Sequence, residues 1–145
     1  MKQSIHSNDT RQMPATADET YAVVSDFTNF PAWFPAPVTL LRATPDVVGS
    51  EVEVTAPDGG PRFVMEVTGI SPGACIDLRY RGDFTGTGRW RFQDGRAGLE
   101  VDLSPNTLPL KVFALLGGMK KAHVGFAESV FDALARRVTQ TRGEA

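Results

Sequence analysis

Cysteine, surplus positive charge and long apolar runs are all scarce in this sequence. The single cysteine, Cys75, cannot form an internal disulfide, so we expect a reducing, cytoplasmic environment. A formal net charge of −2 argues against a general nucleic-acid binder, because phosphate contacts require a clustered basic excess. No segment approaches the ~20 apolar residues that span a bilayer, and residues 1–15 lack the apolar core of a signal peptide.

The composition also leaves little for metal or cofactor chemistry. One cysteine and two histidines, His6 and His123, cannot fill a tetrahedral zinc site without well-placed carboxylates. The GTG segment at 86–88 lies inside a predicted strand and not before a helix, so it does not predict a phosphate loop. We therefore expect no metal, no cofactor and no stable membrane insertion. The 145 residues are most simply one domain, 1–145, with its own core.

The first strong structural signal is a helix start at Thr16. Thr16 and Glu19 have the T-x-x-E spacing of a capping box, in which two side chains satisfy free backbone N–H groups of the first turn. The helix is predicted to run to about Ser25, with Tyr21 and Val24 on its buried side.

An aromatic-rich segment follows this helix. Its sequence, NFPAWFPAP, cannot continue a regular helix, because proline lacks the N–H donor and restricts the residue before it. We expect a second short turn that holds Phe30, Trp33 and Phe34. Trp33 and Phe34 either close one mouth of a pocket or pack the small helices onto a sheet, since aromatic side chains dominate core burial in any fold.

A block of strands occupies the middle of the chain. Apolar and polar residues alternate with period two, which predicts an antiparallel sheet with one solvated face. The predicted strands are Val38–Ala43, Gly49–Ala56, Arg62–Ile70, Cys75–Arg81, Thr85–Gln93 and Leu99–Leu103.

The turns between these strands predict their register. Asp94-Gly95 suits a two-residue hairpin, and we assign loops of four and three residues to Ser71–Ala74 and Gly82–Phe84. Each opposite-charge pair contributes only ~0.2–1 kcal/mol. However, three turns chosen independently give three such pairs on the outer face, and this agreement supports the register. The predicted cross-strand pairs are Trp90 with Leu99, Arg89 with Glu100, Leu78 with Val67, Arg79 with Glu66, Ile76 with Trp90, Asp77 with Arg89, and Tyr80 with Gly86 and Met65.

The last predicted element is a long helix from about Leu108 to Gln140, with a kink at Gly117-Gly118 where two glycines weaken it. At 100° per residue it presents one apolar stripe. The stripe comprises Leu116, Met119, His123, Phe126, Ala127, Val130 and Leu134.

With this order of elements the chain resembles the SRPBCC superfamily, also called START-like or helix-grip. More narrowly, it is similar to the polyketide cyclase/dehydrase and lipid-transport group. The resemblance implies an α+β fold in which a curved antiparallel sheet of about six or seven strands wraps a long C-terminal helix. Two short helices follow the first strand, and a cavity lies between sheet and helix. The implied first strand, 3–13, carries only Ile5 and Met13 as large apolar residues, so we expect it to be bulged or frayed.

The parity of the strands and the helix stripe define a candidate ligand site. We expect a mainly apolar cavity within the usual range of about 300–1,000 Å³, with His123 and Tyr80 as its few polar groups. Gly86 and Gly88 remove volume on the concave face, which either admits a ligand or lets the helix approach. The candidate ligand-binding residues are Trp33, Phe63, Met65, Val67, Ile76, Leu78, Tyr80, Trp90, Phe92, Val101, Met119, His123 and Phe126.

His123 has three interpretations: a core histidine satisfied by a neighbour, a ligand contact, or an acid or base near pH 7. Four arginines, Arg79, Arg81, Arg89 and Arg91, are interpreted as a structural ladder on the convex face. No stacking aromatics share that face, so they do not predict a nucleic-acid surface, and none is the cavity arginine of some family cyclases.

We expect the protein, a monomer or homodimer, to bind a small hydrophobic or aromatic molecule as a carrier or sensor. The alternatives are a cyclase/dehydratase-type enzyme that uses His123 and Tyr80 as acid/base groups, and a protein-interaction module that resembles the chaperone-activating members of the superfamily. A wide exposed apolar patch without a cavity favours the last.

Overall fold

The computed structural model describes residues 4–44, 47–55, 61–107, 110–111 and 118–143, without the side chains of residues 119, 120, 142 and 143. Seven antiparallel strands form one curved sheet with the order β1-β7-β6-β5-β4-β3-β2. The strands are β1 Ile5–Gln12, β2 Val38–Arg42, β3 Glu51–Thr55, β4 Arg62–Ser71, β5 Cys75–Gly82, β6 Phe84–Gln93 and β7 Arg96–Pro105. The helices are α1 Ala17–Ser25, a 3₁₀ turn Phe27–Asn29, α2 Phe30–Trp33 and α3 Gly118–Gly143. The predicted helix-grip fold class is confirmed.

The predicted register is confirmed in the middle of the sheet. Trp90 pairs with Leu99 and with Ile76, as the two hairpin turns require. Tyr80 lies between Gly86 and Met65. Because side chains alternate along a strand, these pairings place all the large inward residues on the concave face.

The turn between β4 and β5 was assigned wrongly. Ser71 pairs with Cys75, so three residues form the loop, and not the four that the sequence predicts. A bulge between Val67 and Gly69 then shifts the pairing by one residue, as an inserted residue in one strand does. The predicted register, in which Val67 pairs with Leu78, therefore holds on the side of the bulge that is farther from the turn. Between the bulge and the turn it is wrong by one residue.

β1 is a regular strand, contrary to the expected bulge or fraying. Eight consecutive residues pair with β7 without interruption. Three of its inward side chains, Ser7, Asp9 and Arg11, are polar, and Arg11 meets α3: it donates to Asp132 and lies 5.9 Å from the ring centre of Phe131. A polar inward face is thus compatible with a continuous strand when the helix above supplies partners.

Both short helices pack onto the concave face. The capping box of α1 is complete: Glu19 N donates to Thr16 Oγ1 at 3.2 Å, and Thr16 N donates to Glu19 Oε1 at 3.0 Å. The Tyr21 ring then meets Phe92 edge to face at 5.7 Å. The predicted aromatic turn is confirmed as α2.

α3 covers the remaining concave face. Phe131 packs against Trp90 at 5.8 Å, and Ala127, Val130 and Leu134 of the predicted stripe are buried. The helix ends at Gly143, three residues beyond the predicted end. The predicted start at Leu108, the stripe residue Leu116 and the first glycine of the predicted kink lie outside the described residues, as does the side chain of Met119.

Candidate functional site

His123 lies on the side of α3 that faces β1. Only 12% of its side chain is exposed, and its Nε2 atom is buried without a hydrogen-bond partner among the described residues. Asp9 Oδ2 lies 3.6 Å from Nε2, which is beyond hydrogen-bonding range. Burial lowers the pKa of His123, and the carboxylate of Asp9 opposes part of that shift. The imidazole is therefore mostly neutral at pH 7.

Asp9 belongs to this site, although no sequence pattern indicated it. Ser7 Oγ donates a 2.6 Å hydrogen bond to Asp9 Oδ2, the same oxygen that faces His123. The inward side of β1 carries Ser7, Asp9 and Arg11, at every second position of the strand. This period-two spacing is the one sequence signal that points to them. It becomes informative only once the strand is known to lie beneath α3.

Tyr80 points inward from β5 and is almost fully buried. Its ring packs 5.9 Å from that of Phe63. Burial raises the pKa of the Tyr80 hydroxyl, because a phenolate loses its hydration in an apolar interior. At neutral pH this side chain is a hydrogen-bond donor and not a base.

Gly86 and Gly88 each make room for a neighbouring group of the sheet. A Cβ at position 88 would lie 2.8 Å from Cε2 of Tyr80, so the Tyr80 ring occupies the space that this glycine leaves. A Cβ at position 86 would lie 1.9 Å from the carbonyl oxygen of Asp102, and Gly86 has φ +145°. Both glycines are thus required by close approach within the sheet.

An aromatic cluster joins the short helices to α3. Trp33 packs edge to face against Phe30 at 5.1 Å and Phe34 at 5.7 Å, and Phe34 meets Phe126 of α3 at 5.8 Å. Trp33 is 8% exposed, yet its Nε1 atom is buried without a hydrogen-bond partner. Trp33 therefore packs the small helices, and it carries a donor without a partner among the described residues. That it closes one mouth of a pocket stays a prediction.

The internal cavity found among the described residues is far smaller than expected. It holds about 10 Å³, room for about one water molecule, and includes neither His123 nor Tyr80. The predicted volume is therefore wrong for this part of the interior, because bulky side chains fill it. The cavity is lined by Val24, Phe27, Phe30, Ser50, Val52, Met65, Val67, Ile76, Leu78 and Trp90.

Five of the predicted site residues line this cavity, namely Met65, Val67, Ile76, Leu78 and Trp90. Four others, Phe63, Tyr80, Phe92 and Val101, are buried in the surrounding core. Sequence patterns missed Ser50, whose hydroxyl bonds to the backbone N–H and carbonyl of Thr44. Its polar atom is thus satisfied, and the cavity wall is otherwise apolar.

The convex face carries the predicted ladder of charges. Arg79 lies 2.7 Å from Glu66, and Arg81 lies 3.0 Å from Glu51. Arg89 donates to Asp77, while Glu100 lies 3.9 Å from Arg91. All four arginines therefore have carboxylate partners, and Arg89 points away from the cavity as the register predicts.

Two kinds of feature are absent from the described part of the chain. No group of three or more His, Cys, Asp or Glu side chains is arranged to hold a metal ion. No helix combines the length and apolar character that crossing a membrane requires. Cys75 is a free, partly buried thiol.

A curved sheet that is apolar on one side and covered by a long helix defines the helix-grip class. The sequence model of one family in this class, described as polyketide cyclase / dehydrase and lipid transport, matches residues 4–139. The chain belongs to this family. No curated protein matches the sequence.

Several solved structures have the same fold. A START superfamily protein from Mycobacterium smegmatis is 22% identical, with a TM-score of 0.66 over 94% of this chain and 98% of that chain. The Zhui aromatase/cyclase from Streptomyces sp. R1128 is 15% identical, with a TM-score of 0.71 over 94% of each chain. Norcoclaurine synthase from Thalictrum flavum, in complex with dopamine and hydroxybenzaldehyde, is 11% identical, with a TM-score of 0.69 over 94% of this chain and 87% of that chain. At such identities these likenesses show the fold alone.

Proposed function

We propose that this protein binds a small hydrophobic or aromatic molecule between the concave face of its sheet and α3, as a carrier or sensor. The observation that carries the proposal is a pair of buried nitrogens, His123 Nε2 and Trp33 Nε1, that have no hydrogen-bond partner among the described residues. An unsatisfied buried polar group costs about 1–3 kcal/mol. A ligand acceptor that reaches Trp33 Nε1 recovers part of that cost, and the imidazole of His123 is the second polar group that a ligand can contact.

The relatives support the same class of ligand. One similar structure holds dopamine and hydroxybenzaldehyde, and another is named an aromatase/cyclase. By analogy of fold alone, an aromatic ring suits the space between sheet and helix here. The proposed contact residues are those predicted from parity, with Trp33 and His123 as the polar ones.

Binding in the cavity among the described residues requires it to open, because about 10 Å³ does not admit an aromatic ring. The segment that carries Phe27 and Phe30 is the element we expect to move. It consists of a 3₁₀ turn of three residues and a helix of four, whereas the opposite wall is a continuous hydrogen-bonded sheet. Short segments with few backbone hydrogen bonds open at lower free-energy cost than central strands.

The test is a titration with the neutral fluorescent probe N-phenyl-1-naphthylamine, followed through tryptophan quenching. The variant Trp33→Phe assigns the signal to Trp90, which lines the cavity. We expect saturable binding that weakens in His123→Ala. The matched control is His6→Ala, because His6 is 63% exposed on β1.

Unsaturable quenching, or equal affinity in His123→Ala and the native protein, would contradict the proposal. Native mass spectrometry of molecules that co-purify with the protein supplies an independent identification. A ligand found there has to compete with the probe if both occupy the same interior.

A cyclase/dehydratase-type enzyme is the second candidate, and one observation favours it. Burial moves the two pKa values apart: the Tyr80 hydroxyl stays protonated and the His123 imidazole stays neutral at pH 7. The Tyr80 hydroxyl is then a hydrogen-bond donor, and the neutral His123 imidazole has a lone pair that can accept a proton. Cyclisation of a linear poly-β-ketone thioester, followed by absorbance of the aromatic product, tests this. Activity that survives both Tyr80→Phe and His123→Gln would exclude these roles.

The protein-interaction alternative is favoured by four exposed apolar side chains at and beyond the sheet edge β2. They are Leu40, Leu41, Val47 and Val48, which are 40–54% exposed. The occupant this edge suits is a second copy of the chain, because an unpaired strand offers its free backbone groups to an equal strand. Analytical ultracentrifugation of the native protein and of Leu41→Lys tests it: a dimer that dissociates in the variant supports the alternative, and a monomeric native protein contradicts it.

A further inference from the structure

Three polar side chains lie in a row that runs from β1 to α3. Ser7 Oγ donates to Asp9 Oδ2 at 2.6 Å, and the same oxygen lies 3.6 Å from His123 Nε2. Ser7 and Asp9 are two residues apart on one strand, so their side chains lie on the same face. Asp9 is 33% exposed and His123 is 12% exposed, so both groups are partly or largely withdrawn from water.

The neighbouring arginine does not pair with Asp9. Arg11, the next inward residue of β1, donates to Asp132 instead. Among the described residues, the polar partners of Asp9 are therefore the hydroxyl of Ser7 and the imidazole of His123. The Ser7 hydrogen bond holds the carboxylate in a single orientation towards Nε2.

A carboxylate in this position selects one form of the neutral imidazole. A neutral histidine carries one N–H, and the other ring nitrogen presents a lone pair. A lone pair on Nε2 would face an ionised carboxylate at 3.6 Å and be repelled, whereas an N–H there is attracted. Partial burial strengthens this difference, because the effective dielectric constant is lower than in water.

We propose that Asp9, oriented by Ser7, is a positioning residue that keeps the proton of His123 on Nε2. His123 then presents Nδ1 as a hydrogen-bond acceptor. The ligand class that follows is a molecule with a hydroxyl donor, such as a phenol or an alcohol. This last step rests on the proposed function, while the position of the proton does not.

The first experiment measures the imidazole itself. Long-range ¹H–¹⁵N correlation spectra, recorded from pH 5 to 9, resolve the protonation and tautomer of both histidines of the chain. We expect His123 of the native protein to be the Nε2–H form at pH 8. In Asp9→Ala a second, Nδ1–H form appears and the pKa of His123 falls further, because the opposing carboxylate is lost. Ser7→Ala should shift both readings in the same direction by a smaller amount.

The matched control is Asp102→Ala. The Asp102 carboxylate faces His6 at nearly the spacing at which Asp9 faces His123. Its Oδ2 lies 3.7 Å from His6 Nδ1, but this pair is on an exposed surface. This variant should leave the His123 signals unchanged. An Nδ1–H form of His123 in the native protein, or His123 signals that are unmoved by Asp9→Ala in a folded variant, would overturn the positioning role.

The second experiment tests the ligand class with 1-naphthol and 1-methoxynaphthalene, which differ by the hydroxyl donor. We expect the native protein to bind 1-naphthol about tenfold more tightly, which corresponds to ~1.4 kcal/mol, and Asp9→Ala to lose most of that preference. Equal binding of the two compounds overturns the ligand class. If neither binds, the proposed function fails, and the spectra alone decide the role of Asp9.

Discussion

Single atoms distinguish this interior from an ordinary apolar core. The two buried nitrogens without a partner among the described residues belong to His123 on α3 and Trp33 on α2. Tyr80, the third polar group, lies with its ring against Gly88. The burial of His123 and the packing of Tyr80 on Gly88 each lead to a prediction that does not depend on the identity of a ligand.

The pH dependence of stability should report the burial of His123. Its pKa is lowered in the folded state from an unfolded value near 6.5, so the unfolded chain binds the proton more tightly. This contribution to stability is complete above about pH 6.5 and is lost as pH falls through the lowered pKa. Urea unfolding between pH 5 and 8 should therefore show a steeper acid loss in the native protein than in His123→Gln.

The control for this prediction is His6→Gln, which should keep the native slope because His6 is an exposed residue. Asp9 is the charged group that faces His123 from β1, and its removal should steepen the acid loss. Identical slopes for the native protein and His123→Gln would show that the imidazole is not withdrawn from water.

Three glycine-to-alanine variants should separate close approach from simple flexibility. Gly88→Ala forces the Tyr80 ring to shift and should cost about 1–3 kcal/mol. Gly86→Ala should cost more than Gly88→Ala, because its Cβ would meet the rigid backbone of Asp102 at 1.9 Å. Gly125→Ala in α3 has open space around it and should stabilise the protein by about 0.8–1 kcal/mol. Urea unfolding measures all three, and a neutral Gly86→Ala would contradict the packing described.

At the level of elements, α1 is held at its start by two independent caps. Thr16 accepts from Glu19 N, and Asp94 Oδ1, from the β6–β7 turn, accepts from Ala17 N at 2.8 Å. Thr16→Ala should cost about 1 kcal/mol, and Asp94→Ala should destabilise the same helix. Because the caps satisfy different N–H groups, their effects should add in the double variant. Thr139→Ala is the control, since that hydroxyl only bonds back to its own helix at Ala135.

The elements also show how far sequence patterns reach. The turns predicted which residues pair, and the alternation of the strands and the charges of their outer faces agreed, because a one-residue slip would have reversed both. They could not predict the bulge before Gly69, since loops of three and four residues suit the same turn sequence. β1 was misjudged for a different reason. Its inward polar residues find their partners on α3, more than 100 positions away, and no local pattern contains that information.

The candidate site was predictable only in part. Parity placed the core lining and the helix stripe placed His123, because both depend on local periodicity. The partner of His123 depends on which strand lies beneath α3, so Asp9 was found only in the structure. The size of the cavity was misjudged because the volume left between bulky side chains depends on their packing. The Tyr80 ring fills the space beside Gly88.

At the scale of the whole molecule, the small cavity among the described residues has to enlarge before it can hold an aromatic ligand. Ile76 is fully buried at the floor of the small cavity. Ile76→Ala should cost about 2–5 kcal/mol and should increase the affinity for N-phenyl-1-naphthylamine, because part of the volume that the probe needs is then already open. Isothermal titration and urea unfolding measure the two effects on the same samples.

Val138→Ala is the matched control for this enlargement. Val138 is equally buried on α3 but does not line the cavity, so its loss should destabilise the protein without improving probe binding. If both variants gain affinity equally, the probe binds wherever the protein is loosened and not between sheet and helix. If Ile76→Ala gains none while it remains folded, the cavity is a packing defect, and the ligand site has to lie elsewhere on the molecule.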